Sequence, residues 1–168
     1  MIKLLGAIFL VGGCTGFGWI LAISHRREVL LLRQLRRAIQ EMQWELKFRL
    51  TALPELCFLA ADAAGGRLKP LFAEFGNMLA RGEVADISGA FQGLLMSAGF
   101  PARVKRNLRQ LGDSLGRFDL EGQLEGLEAV RRQCSHDLKE LEALGPDRLK
   151  NYRTLAVCAG VALAILFL

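Results

Sequence analysis

The chain reads as all-α: a cytoplasmic bundle of about six helices flanked by N- and C-terminal transmembrane helices. Three observations predict this. Two apolar segments stand at the ends, since 4–23 and 154–168 carry no charged residue. Between them, apolar residues recur at steps of three and four, the helical period. No stretch shows the strict alternation of a half-buried strand. The 52% hydrophobic and 23% charged residues of the 168-residue chain are thus a mixture of two compositions. Every Asp and Glu, and every Lys and Arg except Lys3, falls in 24–153. The predicted units are a span over 1–23, a helical domain over 24–150 and a second span over 151–168.

The first span centres on LLGAIFLVGGCTGFGWILAI, Leu4 to Ile23. Twenty residues of helix reach about 30 Å, the hydrocarbon thickness of a bilayer. A cleaved signal would have a shorter apolar run, and Ser24-His25-Arg26-Arg27 is a poor cleavage site. A lipoprotein signal could use Cys14, but the apolar run continues beyond it for nine residues. Gly12 and Gly16 have the spacing that lets membrane helices approach closely, so they are the candidate helix–helix contact. The second segment is shorter. It reaches span length from Leu149, with Lys150 and Arg153 snorkelling to the headgroups and Tyr152 at the interface. Basic residues flank both spans on their inner sides: His25, Arg26, Arg27, Arg33, Arg36 and Arg37 after the first, Arg148, Lys150 and Arg153 before the second. The positive-inside rule therefore places 24–153 in the cytoplasm of a two-pass protein of the cell membrane.

The domain's first helix is expected over Glu28–Thr51, with a heptad stripe of Leu32, Leu35, Ile39, Met42 and Leu46 that breaks at Arg49. Pro54 suits the first turn of a second helix, with Glu55 at the positive end of its dipole and Gly65-Gly66 as its stop. A third helix covers Arg67–Arg81. Asp86 can cap a fourth, carrying Ile87, Ala90, Phe91, Leu94 and Leu95 and ending at Gly99. Pro101 opens a fifth that runs to Leu115 before Gly116. Asp119 caps the longest, Leu120 to Leu144, with the stripe Leu120, Leu124, Leu127, Cys134, Leu138 and Leu141. Gly145-Pro146 should break or kink it. The first and last helices are expected to pair as an antiparallel stalk.

The net charge of +5 does not indicate a nucleic-acid binder. Residues 103–117 hold five bases against Asp113 alone, but without interleaved aromatics or a groove-reading motif. Membrane lipid or an acidic partner answers such a stretch better. The following run, 119–142, is acidic, with seven acidic groups against three basic. There is no phosphate-binding loop, dinucleotide fingerprint or HExxH zinc pair. Cys14, Cys57, Cys134 and Cys158 form no CxxC, and they read as small, reduced, apolar residues. Neither catalytic residues, cofactor, metal nor small-molecule substrate is expected, and the chain is read as a non-enzyme.

Residues 35–56, LRRAIQEMQWELKFRLTALPEL, resemble the first soluble helix and turn of the stage III sporulation protein AB family, including Thr51, Leu53, Pro54 and Glu55. Leu111-Gly112-Asp113-Ser114-Leu115-Gly116, then Asp119 and Gly122-Gln123, is similar to that family's second turn. The candidate motif positions are therefore Thr51, Leu53, Pro54, Glu55, Leu111, Gly112, Leu115, Gly116, Asp119 and Gln123. Gln43 stands where the family usually has Glu, Ala52 replaces a proline and Phe118 a serine.

The resemblance implies a non-enzymatic subunit of the channel between mother cell and forespore, required for endospore formation. Its domain would be similar to the inner-membrane platform domain of type II secretion and type IV pilus systems. Sporulation channel proteins, including a cytoplasmic ATPase, would be its partners, and the outer forespore membrane, on the mother-cell side, its place. The ATPase would supply the energy and this chain would couple it to the membrane assembly. Homo-oligomers fit the same picture. The alternative is a membrane-anchored signalling or assembly regulator acting through coiled-coil-like first and last helices.

Overall fold

The computed structural model describes residues 2–115 and 119–167, with side chains described over 24–115 and 119–143. Among the described residues there are six helices and no strand. They are α1 Ile2–Phe48, α2 Leu53–Ala64, α3 Lys69–Ala80, α4 Ile87–Ser97, α5 Ala102–Leu115 and α6 Leu120–Phe167. Two units are separable: Met1–Val29 with Glu140–Leu168, and Leu30–Lys139. Both expected spans belong to the first, and their side chains lie outside those described, as do Gly12 and Gly16. Among the described residues no helix is long and apolar enough to cross a membrane.

The second unit is built as amphipathic helices demand. The whole heptad stripe of α1 is inside: Leu32, Leu35, Ile39 and Met42 are fully buried and Leu46 nearly so. The helix stops at Phe48, three residues before the expected end, and Leu50 turns the chain with a positive φ of 54°. Pro54 lies in the first turn of α2, where its missing N–H costs nothing. Gly65 and Gly66, at φ 63° and 50°, end α2 in the left-handed region that favours glycine. Next, α3 starts at Lys69 rather than Arg67, with Leu68 before it fully buried. The α2 and α3 helices pack together, and so do α4 and α5. Phe72, Phe75 and Phe91 form the aromatic centre, with Phe75 and Phe91 edge to face at 4.8 Å.

The two acidic caps diverge. Asp119 accepts from the Gly122 backbone N–H at 2.6 Å, so it caps α6 as expected. Asp86 occupies the N-cap position of α4, but its carboxylate makes no capping bond. The stripe of α6 is also shifted. Leu127, Cys134, Leu138 and Leu141 are buried, together with Val130, whereas Leu120 is exposed and Leu124 only half-buried. The expected break at Gly145-Pro146 is absent, because α6 continues to Phe167. A helix-interior proline forfeits one backbone bond, and the long helical run on both sides carries that loss. Within the second unit α1 and α6 run antiparallel. Gln43 bonds Glu128 at one level, and Arg36 is within electrostatic reach of Cys134 at another.

Gly112 of α5 is where the ring of Phe91 rests: a Cβ there would lie 2.7 Å from the ring. Gly112→Ala is therefore expected to cost about 1–3 kcal/mol, as overpacking does. Gly93, on α4, faces open space, and Gly93→Ala is expected to be neutral or to stabilise by up to about 1 kcal/mol. Thermal unfolding of the two variants measures the contrast, and equal shifts would contradict it.

Candidate functional site

Among the described residues of the second unit, polar clusters between helices and one exposed apolar patch are the places where chemistry or recognition could act. The most buried cluster joins α5 to α6. Asp137, only 1% exposed, accepts from Arg106 Nη2 at 3.1 Å on both carboxylate oxygens and from Asn107 Nδ2 at 2.9 Å. Gln133, one turn back on α6, donates at 3.0 Å, and Arg103 lies 4.0 Å away. Every oxygen of this carboxylate is occupied, which is the condition for keeping a charge inside. The neighbouring His136 is exposed, and a cation would find no open oxygen on Asp137 beside that guanidinium. The cluster is a structural clamp that fixes α5 against α6. Sequence reasoning passed over it, yet a signal exists: Asp137 and Asn107 each fall on a core stripe, of α6 and α5 respectively.

The second cluster closes the α1–α2 corner. Thr51 donates its hydroxyl to Glu45 at 2.7 Å, and Arg49 lies 3.5 Å from the other oxygen. Glu45 is buried, so the Thr-containing turn exists partly to receive it. The third cluster joins α1 to α6. Gln43 donates to Glu128 at 3.0 Å, and Arg131 holds the same carboxylate through two bonds of 2.7 and 2.8 Å. The Arg131 bonds first, then Gln43, hold the Glu128 carboxyl down at about 2. A glutamate at 43 would face Glu128 with a like charge, so the departure to Gln43 has a local reason. Arg131, which interrupts the α6 stripe, is thereby explained as the partner of Glu128.

The family-motif positions are structural. Leu53 and Pro54 form the first turn of α2, and Glu55 is exposed there. Leu111 and Leu115 are fully buried, Gly112 seats Phe91, and Asp119 caps α6. Gln123, one turn on, is half-buried, and Gly116 lies outside the described residues. The motif positions thus divide into the two corners α1–α2 and α5–α6 and do not converge on one pocket. Cys57 and Cys134 are free and buried, and burial pushes both thiols up to about 12, far from the reactive thiolate. Cys14 and Cys158 lie outside the described side chains. An open groove of about 420 Å³ on α5, lined by Lys105, Arg106, Arg109 and Asp113, holds no buried polar group to orient a ligand.

What stands out is the outer face of α1. Trp44 is 52% exposed, Phe48 62% and Leu50 68%. The two rings pack at 5.0 Å, with Lys47 and Arg49 over them at 5.5 and 5.9 Å. The sequence pattern marks this region only by the break of the stripe at Arg49. The missed signal was Trp44, a large apolar residue off the core stripe.

Comparison with known proteins adds the following. The model of the family described as Stage III sporulation protein AB matches residues 3–168. The curated Stage III sporulation protein AB of Bacillus subtilis (strain 168) is 25% identical over 172 residues, with both chains covered in full. A solved structure of Stage III sporulation protein AB has a TM-score of 0.63 at 21% identity, covering 73% of this chain and 98% of that one, which establishes the likeness of fold.

Two outcomes test the clusters. Asp137→Ala removes the acceptor of buried Asn107 and is expected to cost about 2–4 kcal/mol, with Asp137→Asn costing less; chemical denaturation measures both. Glu128 has its carboxyl lowered from 4.5 to about 2, so its contribution is complete above pH 4.5 and is lost as pH falls towards 2. Glu128→Gln should accordingly flatten the stability profile across that window. An unchanged profile would show that the Arg131 and Gln43 bonds do not matter in solution.

Proposed function

From this chain's membership of the stage III sporulation protein AB family we propose that it is a non-enzymatic platform subunit of the channel linking mother cell and forespore, coupling a cytoplasmic ATPase to the membrane assembly. The supporting observation is the match over 3–168, together with a helical unit whose first and last helices both continue into uncharged segments. Such a unit, tied to a bilayer at both ends, holds its partners at a raised effective concentration. The clusters support the same reading. Their charged groups are engaged with one another, and they fix helix against helix rather than presenting an acid, a base or a nucleophile.

The coiled-coil regulator fares worse. The heptad stripe that it would use for a partner is buried within the chain's own core. A stripe already packed at every position cannot also form an intermolecular seam.

The proposed topology places 24–153 in the mother-cell cytoplasm, beneath the outer forespore membrane. A cytoplasm-specific reporter inserted in the Gly65-Gly66 turn is expected to be active, and an export-dependent reporter silent. For the coupling role, the full-length chain isolated from sporulating membranes should carry the ATPase with it, and deleting the chain should release the ATPase from the membrane fraction. An ATPase that stays membrane-bound without this chain would overturn the role.

A further inference from the structure

We infer that the outward face of α1 between Leu30 and Leu50 is the docking surface for an acidic amphipathic helix of a separate protein. The inference deepens the platform reading, and rests on it, by naming where and by what chemistry a partner is met.

Four observations converge. First, Arg36, Arg37, Gln40, Trp44, Lys47 and Phe48 are all exposed, and at 100° per residue they occupy about one third of the helix circumference. The buried heptad stripe lies on the other side of the helix, and these side chains stay exposed. Second, the charged residues that α1 itself contributes to this face are all basic. Among the described residues neither Arg36, Arg37 nor Lys47 has an ion pair. Of the two nearby carboxylates, Glu41 is half-buried at the margin. Glu45 is buried and already held by Thr51 and Arg49. Third, apolar anchors stand among these cations: Leu30 at one end, Trp44, Phe48 and Leu50 at the other. Trp, Phe and Arg are the residues that dominate protein interfaces. Fourth, Leu50 holds a left-handed backbone conformation and yet projects a bare side chain. That conformation is strained for a non-glycine residue, and no burial offsets it in the free chain.

The chemistry selects among partners. A single-stranded nucleic acid needs free ring faces for its bases, whereas Arg49 and Lys47 already lie over Trp44 and Phe48. A helix lying on lipid needs a continuous apolar stripe, whereas Leu30 is separated from Trp44 by Arg36, Arg37 and Gln40. An acidic amphipathic helix satisfies both halves. Its carboxylates meet the cations in the middle, and its apolar residues meet the anchors at the ends. The face is about 27 Å long, which a helix of about 18 residues matches.

The test uses the full-length chain in sporulating cells, with the photo-crosslinking amino acid p-benzoylphenylalanine placed at Gln40, and at exposed Glu83 as an off-face control. The expected result is one protein adduct at position 40 and none at 83, mapping to an acidic amphipathic helix of the captured protein. Arg36→Glu with Arg37→Glu should cut adduct yield about tenfold, as charge reversal at an interface does. Trp44→Ala should cut it as well. Reversing carboxylates in the mapped helix to Arg should restore the yield against the double Arg→Glu variant. All these substitutions are at exposed positions, and an unchanged melting temperature confirms the fold. Adducts with the mass of a phospholipid, with RNA or with a second copy of this chain overturn the proposal. So do the absence of any adduct, a mapped segment without carboxylates, and an adduct indifferent to the charge reversals. If the surface fails while deletion of the chain still blocks spore formation and frees the ATPase, the platform reading survives without it.

Discussion

The placement of α5 depends on one buried charge. Asp137 sits inside the unit at 1% exposure, and a carboxylate there is tolerable only if both oxygens are filled. Filling them requires Arg106 and Asn107, adjacent on α5, and Gln133 on its own helix. That requirement admits one register of α5 against α6. Sliding α5 by a single residue would strand the charge, whereas a purely apolar seam of leucines tolerates neighbouring registers more easily. The register then places Gly112 beneath Phe91, and Phe91 meets Phe72 and Phe75 of α3. Ser114 meanwhile lies against Gly126, where a Cβ would come within 2.5 Å of the hydroxyl oxygen. Close approach and buried charge thus support each other: small residues bring the helices together, and proximity makes the carboxylate's bonds short.

The fold was largely legible because helical period and turn chemistry are local signals. The heptad stripe of α1 is buried at each of its positions, Pro54 and Gly65-Gly66 bound α2, and Asp119 caps α6. The failures have physical causes. Asp86 satisfies the composition of a cap and its carboxylate lies beside Gly89, but it makes no capping bond, which composition alone does not decide. Leu120, in the first turn of α6, shares the stripe's period and is nonetheless exposed, because periodicity assigns a face without saying how far along the helix the core extends. The break expected at Gly145-Pro146 rested on proline's local penalty, which a helix of 48 residues absorbs.

The site was less legible. Burial of Asp137, Asn107 and Glu45 is a tertiary outcome, and polar residues on an apolar stripe signal it only faintly. The clamp pairs residues 30 apart, and the Gln43–Glu128 bond residues 85 apart, which no local pattern reports. The motif positions prove to be corners and seats: Thr51 receives Glu45, Gly112 receives Phe91 and Asp119 receives the α6 backbone. Their chemistry is spent on shape. Rigid elements define a surface more sharply than loops do, and these corners make the unit rigid.

The treatment of carboxylates on α1 makes the same point from the other side. Glu45 could have neutralised the cations at the end of the helix. Instead it turns inward to Thr51 and draws Arg49 only from one side, while Glu128 on α6 is reserved by Gln43 and Arg131. Each internal bond thereby withdraws a negative charge from the outer face of α1. Satisfying the interior leaves Arg36, Arg37 and Lys47 without a carboxylate partner on that face, beside the exposed rings of Trp44 and Phe48 that Arg49 and Lys47 overlie. A surface left cationic and apolar by the same bonds that make the unit rigid is already organised in the free chain, so the docking proposed for it would carry little ordering cost.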